Sequence, residues 1–108
     1  MEVQNDYSWP IFVQDRQGHT IYLTWERWDH ALGHPGMHEG LLESVLETLR
    51  KGGRKQDAYE PTKYKYLYEF QDLPMPYTHI VVVVKFGWRD TPAEVNNFVL
   101  TAYLIEKW

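Results

Sequence analysis

The sequence predicts an α+β fold: an N-terminal β-hairpin and two helices packed on an antiparallel sheet whose core is a C-terminal three-strand meander. Three patterns carry this expectation. Residues 11–23 hold two short alternating runs around Gln17–Gly18, the pattern of a hairpin. Two stretches, beginning near Trp25 and His38, place apolar residues at helical spacing. Three later runs rich in β-branched and aromatic residues read as consecutive strands. The order ββ-αα-βββ then stacks the helices on one face of the sheet.

Each element has a local reason. Ile11 and Val13 alternate with Phe12, and Ile21 and Leu23 alternate with Tyr22. Thr24 suits an N-cap for a helix from Trp25 to about Gly33, with Trp25, Trp28 and Leu32 as its buried stripe. At 100° per residue His30 lies about 140° from Trp25, so it shares the polar face with Arg27. Gly33 and Pro35 end the helix, because a residue before proline is driven out of the helical region, and His34 falls at the exit. A second helix spans about His38 to Lys51, with Leu42, Val45, Leu46 and Leu49 inward and Glu39, Glu43 and Glu47 outward. Glu47 is placed to pair with Lys51, and Gly52–Gly53 stops the helix. Arg54 to Pro61 reads as a connector with a short strand near Ala58–Glu60.

The three runs follow. Tyr64, Tyr66, Tyr68 and Phe70 alternate with Lys65, Leu67 and Glu69, and the aromatic face belongs under the helices. Were it open, that face would suit a protein partner. His79 to Phe86 is a β-branched run expected at the sheet centre, buried on both faces. Residues 89–95 read as a loop. In the last strand, Asn97 to Ile105, strict alternation puts Val99, Thr101, Tyr103 and Ile105 on one face and Phe98, Leu100, Ala102 and Leu104 on the other.

Composition narrows the function classes. The 108 residues fit one domain spanning 1–108. The absence of cysteine excludes disulfide scaffolds, cysteine zinc sites and thiol nucleophiles. An aromatic content of 16% argues for a packed globule. The longest apolar run, Ile80 to Val84, cannot span a bilayer, and the acidic opening MEVQNDYSWP lacks a secretory pattern. The expectation is a cytoplasmic protein without membrane association. The net charge of −4 rules out a globally basic nucleic-acid binder. It is unevenly spread, however. Between positions 50 and 65, Arg50, Lys51, Arg54, Lys55, Lys63 and Lys65 stand against only Asp57 and Glu60. Screening confines distant acidic charge to roughly 10 Å, so this stretch can act as a local anion site.

Four residues carry candidate chemistry: His30, His34, Thr101 and Tyr103. Two imidazoles beside cations and hydroxyls are the parts of a metal-free ribonuclease, in which a base takes the ribose 2′-OH proton and an acid protonates the leaving 5′ oxygen. Cations and hydroxyls stabilise the charge on phosphorus. His30, His34 and His38 also stand four apart, a spacing that chelates zinc on one helix, but Pro35–Gly36 interrupts that helix.

The segments TWERWDHALGHP, LLESVLETL, KYKYLYEF, IVVVVKF and FVLTAYLIEKW resemble, in this order, small phage and bacterial domains of the barnase/EndoU/colicin/RelE-like ribonuclease superfamily. The resemblance runs from about Ile11 to the C-terminus and rests on W-x-H-x-x-x-H-P around His30 and His34 and V-x-T-A-Y around Thr101 and Tyr103. It implies an α+β fold and cofactor-free, metal-independent RNA cleavage to a 2′,3′-cyclic phosphate. It further implies a toxin held by an antitoxin or immunity protein, with RNA, tRNA included, as substrate. His30, His34, Thr101 and Tyr103 match its catalytic positions. Arg27, Arg50, Lys51, Lys63, Lys65 and Lys85 are the candidates for substrate binding, and the family's basic site residue falls among Arg50, Lys51, Lys65 and Lys85. Where the family carries an acidic or polar residue after His-Pro, this chain has Gly36. The alternative expectation is a catalytically inactive binding or regulatory domain of the same fold acting through a protein partner.

Overall fold

The hairpin turn is organised by a carboxylate. Asp15 Oδ1 accepts the backbone N–H groups of Gln17 (3.0 Å) and His19 (2.8 Å), and Gly18 takes φ +90°, which only glycine adopts freely. This turn joins β1 (Ile11–Gln14) to β2 (Thr20–Leu23), paired antiparallel with Phe12 opposite Tyr22. The computed structural model describes residues 7–87 and 96–107. The expected loop at 89–95 lies outside them, as do residues 1–6 of the acidic opening.

Thr24 caps α1 (Trp25–Ala31), its Oγ1 accepting from Arg27 N–H at 3.2 Å. The helix ends sooner than expected, and its stripe differs. Trp28 is buried, but Trp25 is 45% exposed, its ring edge-to-face with Trp9 at 5.4 Å. A three-residue 3₁₀ turn, Glu39–Leu41, precedes α2 (Leu42–Lys51). The four apolar positions of α2 are all buried, and Glu47 meets Lys51 at 2.7 Å.

Gly52 and Gly53 do not lead into a loop. The chain enters β3 (Gly53–Gln56) at once, a strand the sequence reading missed in favour of one near Ala58–Glu60. There Asp57 Oδ2 instead accepts from the N–H groups of Tyr59 and Glu60 and holds a turn. Next come β4 (Lys63–Glu69), β5 (His79–Phe86) and β6 (Asn97–Ile105). All six strands form one sheet in the order β1-β2-β6-β5-β4-β3. The class is α+β, but the sheet is mixed rather than antiparallel: β2 meets β6 in parallel, at Tyr22 opposite Phe98. Buried Asn97 secures that junction, donating through Nδ2 to the Thr20 carbonyl at 3.0 Å.

One core lies beneath α2. It gathers Ile21, Leu23, Trp28, Val45, Leu46, Leu49, Tyr66, Ile80, Val82, Val84, Val99, Ala102 and Leu104. As expected, Tyr66 points into this core, with Tyr64 and Phe70 packed against it, and residues 80–84 of β5 are buried throughout. Strict alternation fails in β6. Val83 pairs with Thr101 but Val84 pairs with Val99, so Leu100 is an extra residue at a β-bulge. Val99 therefore joins Ala102 and Leu104 in the core. Thr101, Tyr103 and Ile105 fall on the opposite face. Among the described residues no helix is long and apolar enough to cross a membrane.

Candidate functional site

The face of the sheet opposite α2 is built from the outward residues of every strand. Its rows follow from register. One row runs Phe12, Tyr22, Phe98, Lys85, Lys63; the next runs Thr101, Val83, Lys65, Lys55; a third runs Tyr103, Val81, Leu67, Gly53. Lys55, Lys65 and Phe12 are exposed. An open groove of about 480 Å³ lies over this face, bordered by Lys55, Lys65, Leu67, Val81, Tyr103 and Lys107.

The four residues singled out for chemistry meet at one edge of this face. α1 lies against β6, and the chain leaving it turns at Gly33–Gly36. His34 is thereby carried to β6, its Nε2 3.0 Å from Thr101 Oγ1, the proton on one or the other according to the tautomer. The His34 ring lies 5.8 Å from the Tyr103 ring and 5.7 Å, edge-to-face, from that of His30. His34 is half-buried and His30 exposed. Gly36 has a physical reason. Its φ is +81°, and a Cβ there would stand 2.8 Å from the Tyr77 ring and 2.9 Å from Leu104 Cδ1. The loop carrying His34 is pressed onto the sheet at a point where only glycine fits.

The basic candidates divide. Lys65 stands two strands from Thr101, roughly 10 Å at the backbone and within reach of a lysine side chain. Lys85 and Lys63 are on the same face but share Glu60, at 2.6 and 3.2 Å. Lys85 foremost, then Lys63, hold that carboxyl below its ordinary range. Arg27 is exposed on α1, one turn before His30. Arg50 and Lys51 are not brought to the site. Both sit at the end of α2, where Arg50 bonds Glu43 (2.9 Å) and Glu47 (3.2 Å) and Lys51 bonds Glu47, raising the pKa of both bases. Helical spacing commits them to those carboxylates before any ligand arrives. Lys55 and Lys107, which were not among the candidates, border the groove, and no carboxylate among the described residues lies within ion-pair distance of Lys55, Lys65 or Lys107. Lys55 was legible as the fourth base of the stretch; its facing required β3.

His38 turns away from the other two imidazoles, its Nδ1 accepting from Gly40 N–H at 3.1 Å. Among the described residues no three His, Asp or Glu side chains are grouped to hold a metal ion.

A second titratable cluster escaped the sequence reading. Tyr66 donates its phenol to Asp15 Oδ2 at 2.5 Å, and His19 Nδ1 lies 3.2 Å from the same oxygen. Burial pushes the Asp15 carboxyl up, but the bonds from Tyr66 and His19 outweigh it and leave the group below its ordinary value. Burial, then the bond to Asp15, drives the Tyr66 phenol well above the ordinary range. Each polar atom of the carboxylate is used within the fold, which gives the cluster a structural task. Arg54 lies beside it, its guanidinium 4.3 Å from the Tyr64 ring centre.

Chemically, the edge site pairs an imidazole with a hydroxyl and sets a second imidazole and a phenol beside them. Such a set can accept one proton, deliver another and hydrogen-bond an anion. Comparison with protein-family models, curated proteins and solved structures returns no match.

Proposed function

We propose that the chain is a metal-independent endoribonuclease of the toxin type. The reading is carried by one observation: His34 Nε2 lies 3.0 Å from Thr101 Oγ1, with the His30 and Tyr103 rings beside it, on a lysine-bearing sheet face. One imidazole removes the ribose 2′-OH proton as O2′ bonds to phosphorus. The P–O5′ bond breaks, and the second imidazole gives its proton to O5′. The products are a 2′,3′-cyclic phosphate and a free 5′-OH, and the two imidazoles have exchanged protonation states. Thr101 fixes the His34 ring, while Tyr103 and Lys65 receive the charge of the phosphorane oxygens. As a toxin, it would be held by an antitoxin or immunity protein covering this face.

The test is cleavage of total RNA and purified tRNA in excess EDTA, beside His30→Ala, His34→Ala and Thr101→Ala proteins. The expected result is cyclic-phosphate ends from the wild type and a loss of about 10²–10⁴-fold in rate for the histidine variants. Undiminished cleavage by both histidine variants refutes the mechanism. No cleavage by folded wild-type protein favours the inactive binding or regulatory domain.

A further inference from the structure

The open face carries a feature that proton transfer at His34 does not require. Phe12, Tyr22 and Phe98 come from three adjacent strands and stand side by side in one cross-strand row. Their ring centres are 5.8 and 5.9 Å apart, tilted by 43° and 37°. Phe12 is 56% exposed on an edge strand, where alternation and burial would both favour a polar residue. The row does not end in apolar surface. Lys85 is opposite Phe98, and Lys63 is opposite Lys85. Thr101 lies one row along, two β5 residues from the Phe98 register, or roughly 7 Å. Rings, cations and imidazole therefore occupy one continuous face of an otherwise acidic chain.

Resting on the ribonuclease reading, we infer that Phe12, Tyr22 and Phe98 form a stacking platform for the unpaired bases of a single-stranded nucleic acid next to the cleaved bond. Charge selects the partner class: Lys85 and Lys63, at the end of the platform row, share the single carboxylate of Glu60, while Lys55 and Lys65, one row along, are free of ion pairs with described carboxylates, so the face complements a polyanion. The rings select the strand form. Bases in a duplex are stacked on one another and present only their edges, whereas unpaired bases can lay a face on a side-chain ring. Aromatic platforms of this kind tolerate any base, because every base has a π-face. The strand crosses from the rings to Thr101 and His34, its phosphates passing toward Lys65 and Lys55. The substrate is accordingly single-stranded RNA or a loop, not a paired stem.

The test separates this inference from cleavage. A fluorescently labelled oligodeoxythymidine lacks the 2′-OH, so its anisotropy reports binding alone. The wild-type protein is expected to bind it more tightly than a duplex of equal length. Phe12→Ala, a change at an exposed position that leaves folding intact by circular dichroism, is expected to weaken binding about fivefold or more. Phe12→Trp should retain affinity and Phe12→Leu should lose it, which distinguishes stacking from apolar contact. Lys65→Gln should lower the slope of log affinity against log salt by about 0.7. Unchanged binding by Phe12→Ala, equal or tighter binding of the duplex, or no binding by the wild type each overturns the platform. Intact RNA ends alongside retained oligonucleotide binding would refute only the ribonuclease reading.

Discussion

Removing one oxygen atom from Tyr66 tests how the hairpin is tied to the rest of the sheet. Tyr66 is fully buried and its phenol donates to an Asp15 carboxylate whose side chain is itself inaccessible. Phenylalanine keeps the ring in the core, so the lost term is the hydrogen bond. Water cannot replace it at a site closed on both sides, and a bond to a charged acceptor is worth about 1.5–3 kcal/mol. Tyr66→Phe should therefore lose about 2–3 kcal/mol in urea unfolding at neutral pH, with an unchanged slope. That corresponds to a fall of about 8–12 °C in Tm for a chain of this size. The pH dependence has a definite sign. The Asp15 pKa in the fold is below its ordinary 3.8, so its stabilisation is present above that value and is lost as pH falls through the lower one. The Tyr66 pKa is raised, so its share is present below the ordinary 10.0 and is lost as pH climbs beyond it. The gap between wild type and Tyr66→Phe should hold from about pH 5 to 9 and narrow in acid. A loss under about 0.5 kcal/mol, or a gap of full size at pH 2, would refute the argument that an ionised Asp15 is the acceptor.

Gly36→Ala combines a positive φ with contacts of 2.8–3.1 Å to Tyr77 and Leu104, so a loss of about 2–4 kcal/mol is expected. Gly18→Ala, at φ +90° with nothing within 4 Å, should lose only about 1 kcal/mol, and equal losses by thermal unfolding would contradict the packing at Gly36. Thr24→Ala removes the acceptor for Arg27 N–H and should cost about 0.5–2 kcal/mol, most of it recovered in Thr24→Ser; a silent Thr24→Ala would show the cap to be unimportant.

The legible parts of the molecule are those where one local pattern decides the outcome. Thr24, Gln17–Gly18 and the Leu42–Leu49 stripe each state their role within a few residues, and each stands where expected. The parts that were not legible depend on partners far along the chain. Helical spacing alone puts Trp25 in the buried stripe; in the fold it is 45% exposed, and the ring beside it is Trp9, sixteen positions earlier, a contact that helical spacing does not reveal. β3 carries Gly, Arg, Lys and Gln, which have little strand preference, and exists because β4 offers an edge for pairing. Asp15 lies in the hairpin turn, and only Tyr66, fifty-one positions later, makes it a buried acceptor. The basic stretch was legible as charge but not as geometry: a helix end, a ring stack and two outward strands divide its six members between opposite faces.

The assembly of His34 with Thr101 depends on the least legible feature of all. A regular β6 would put Val99, Thr101 and Tyr103 on one face. If that face were the core, Thr101 and Tyr103 would bring two hydroxyls beneath α2, each costing about 1–3 kcal/mol if left unpaired. If it were the open face, Val99 would lose its burial against Val84, worth roughly 1.5 kcal/mol or more. The extra residue at Leu100 resolves the conflict by reversing the facing of the strand between Val99 and Thr101. Val99 packs inward, and Thr101 and Tyr103 turn out to meet the imidazole that Gly36 presses against the strand. Bulges commonly re-aim side chains, and here the re-aimed residues are Thr101, whose hydroxyl bonds His34, and Tyr103, whose ring lies 5.8 Å from the imidazole. The bulge and the glycine are separate departures from regular structure, sixty-four positions apart, and both serve the same contact. The strand defect meets both demands at once, burying Val99 and keeping the Thr101 and Tyr103 hydroxyls out of the core.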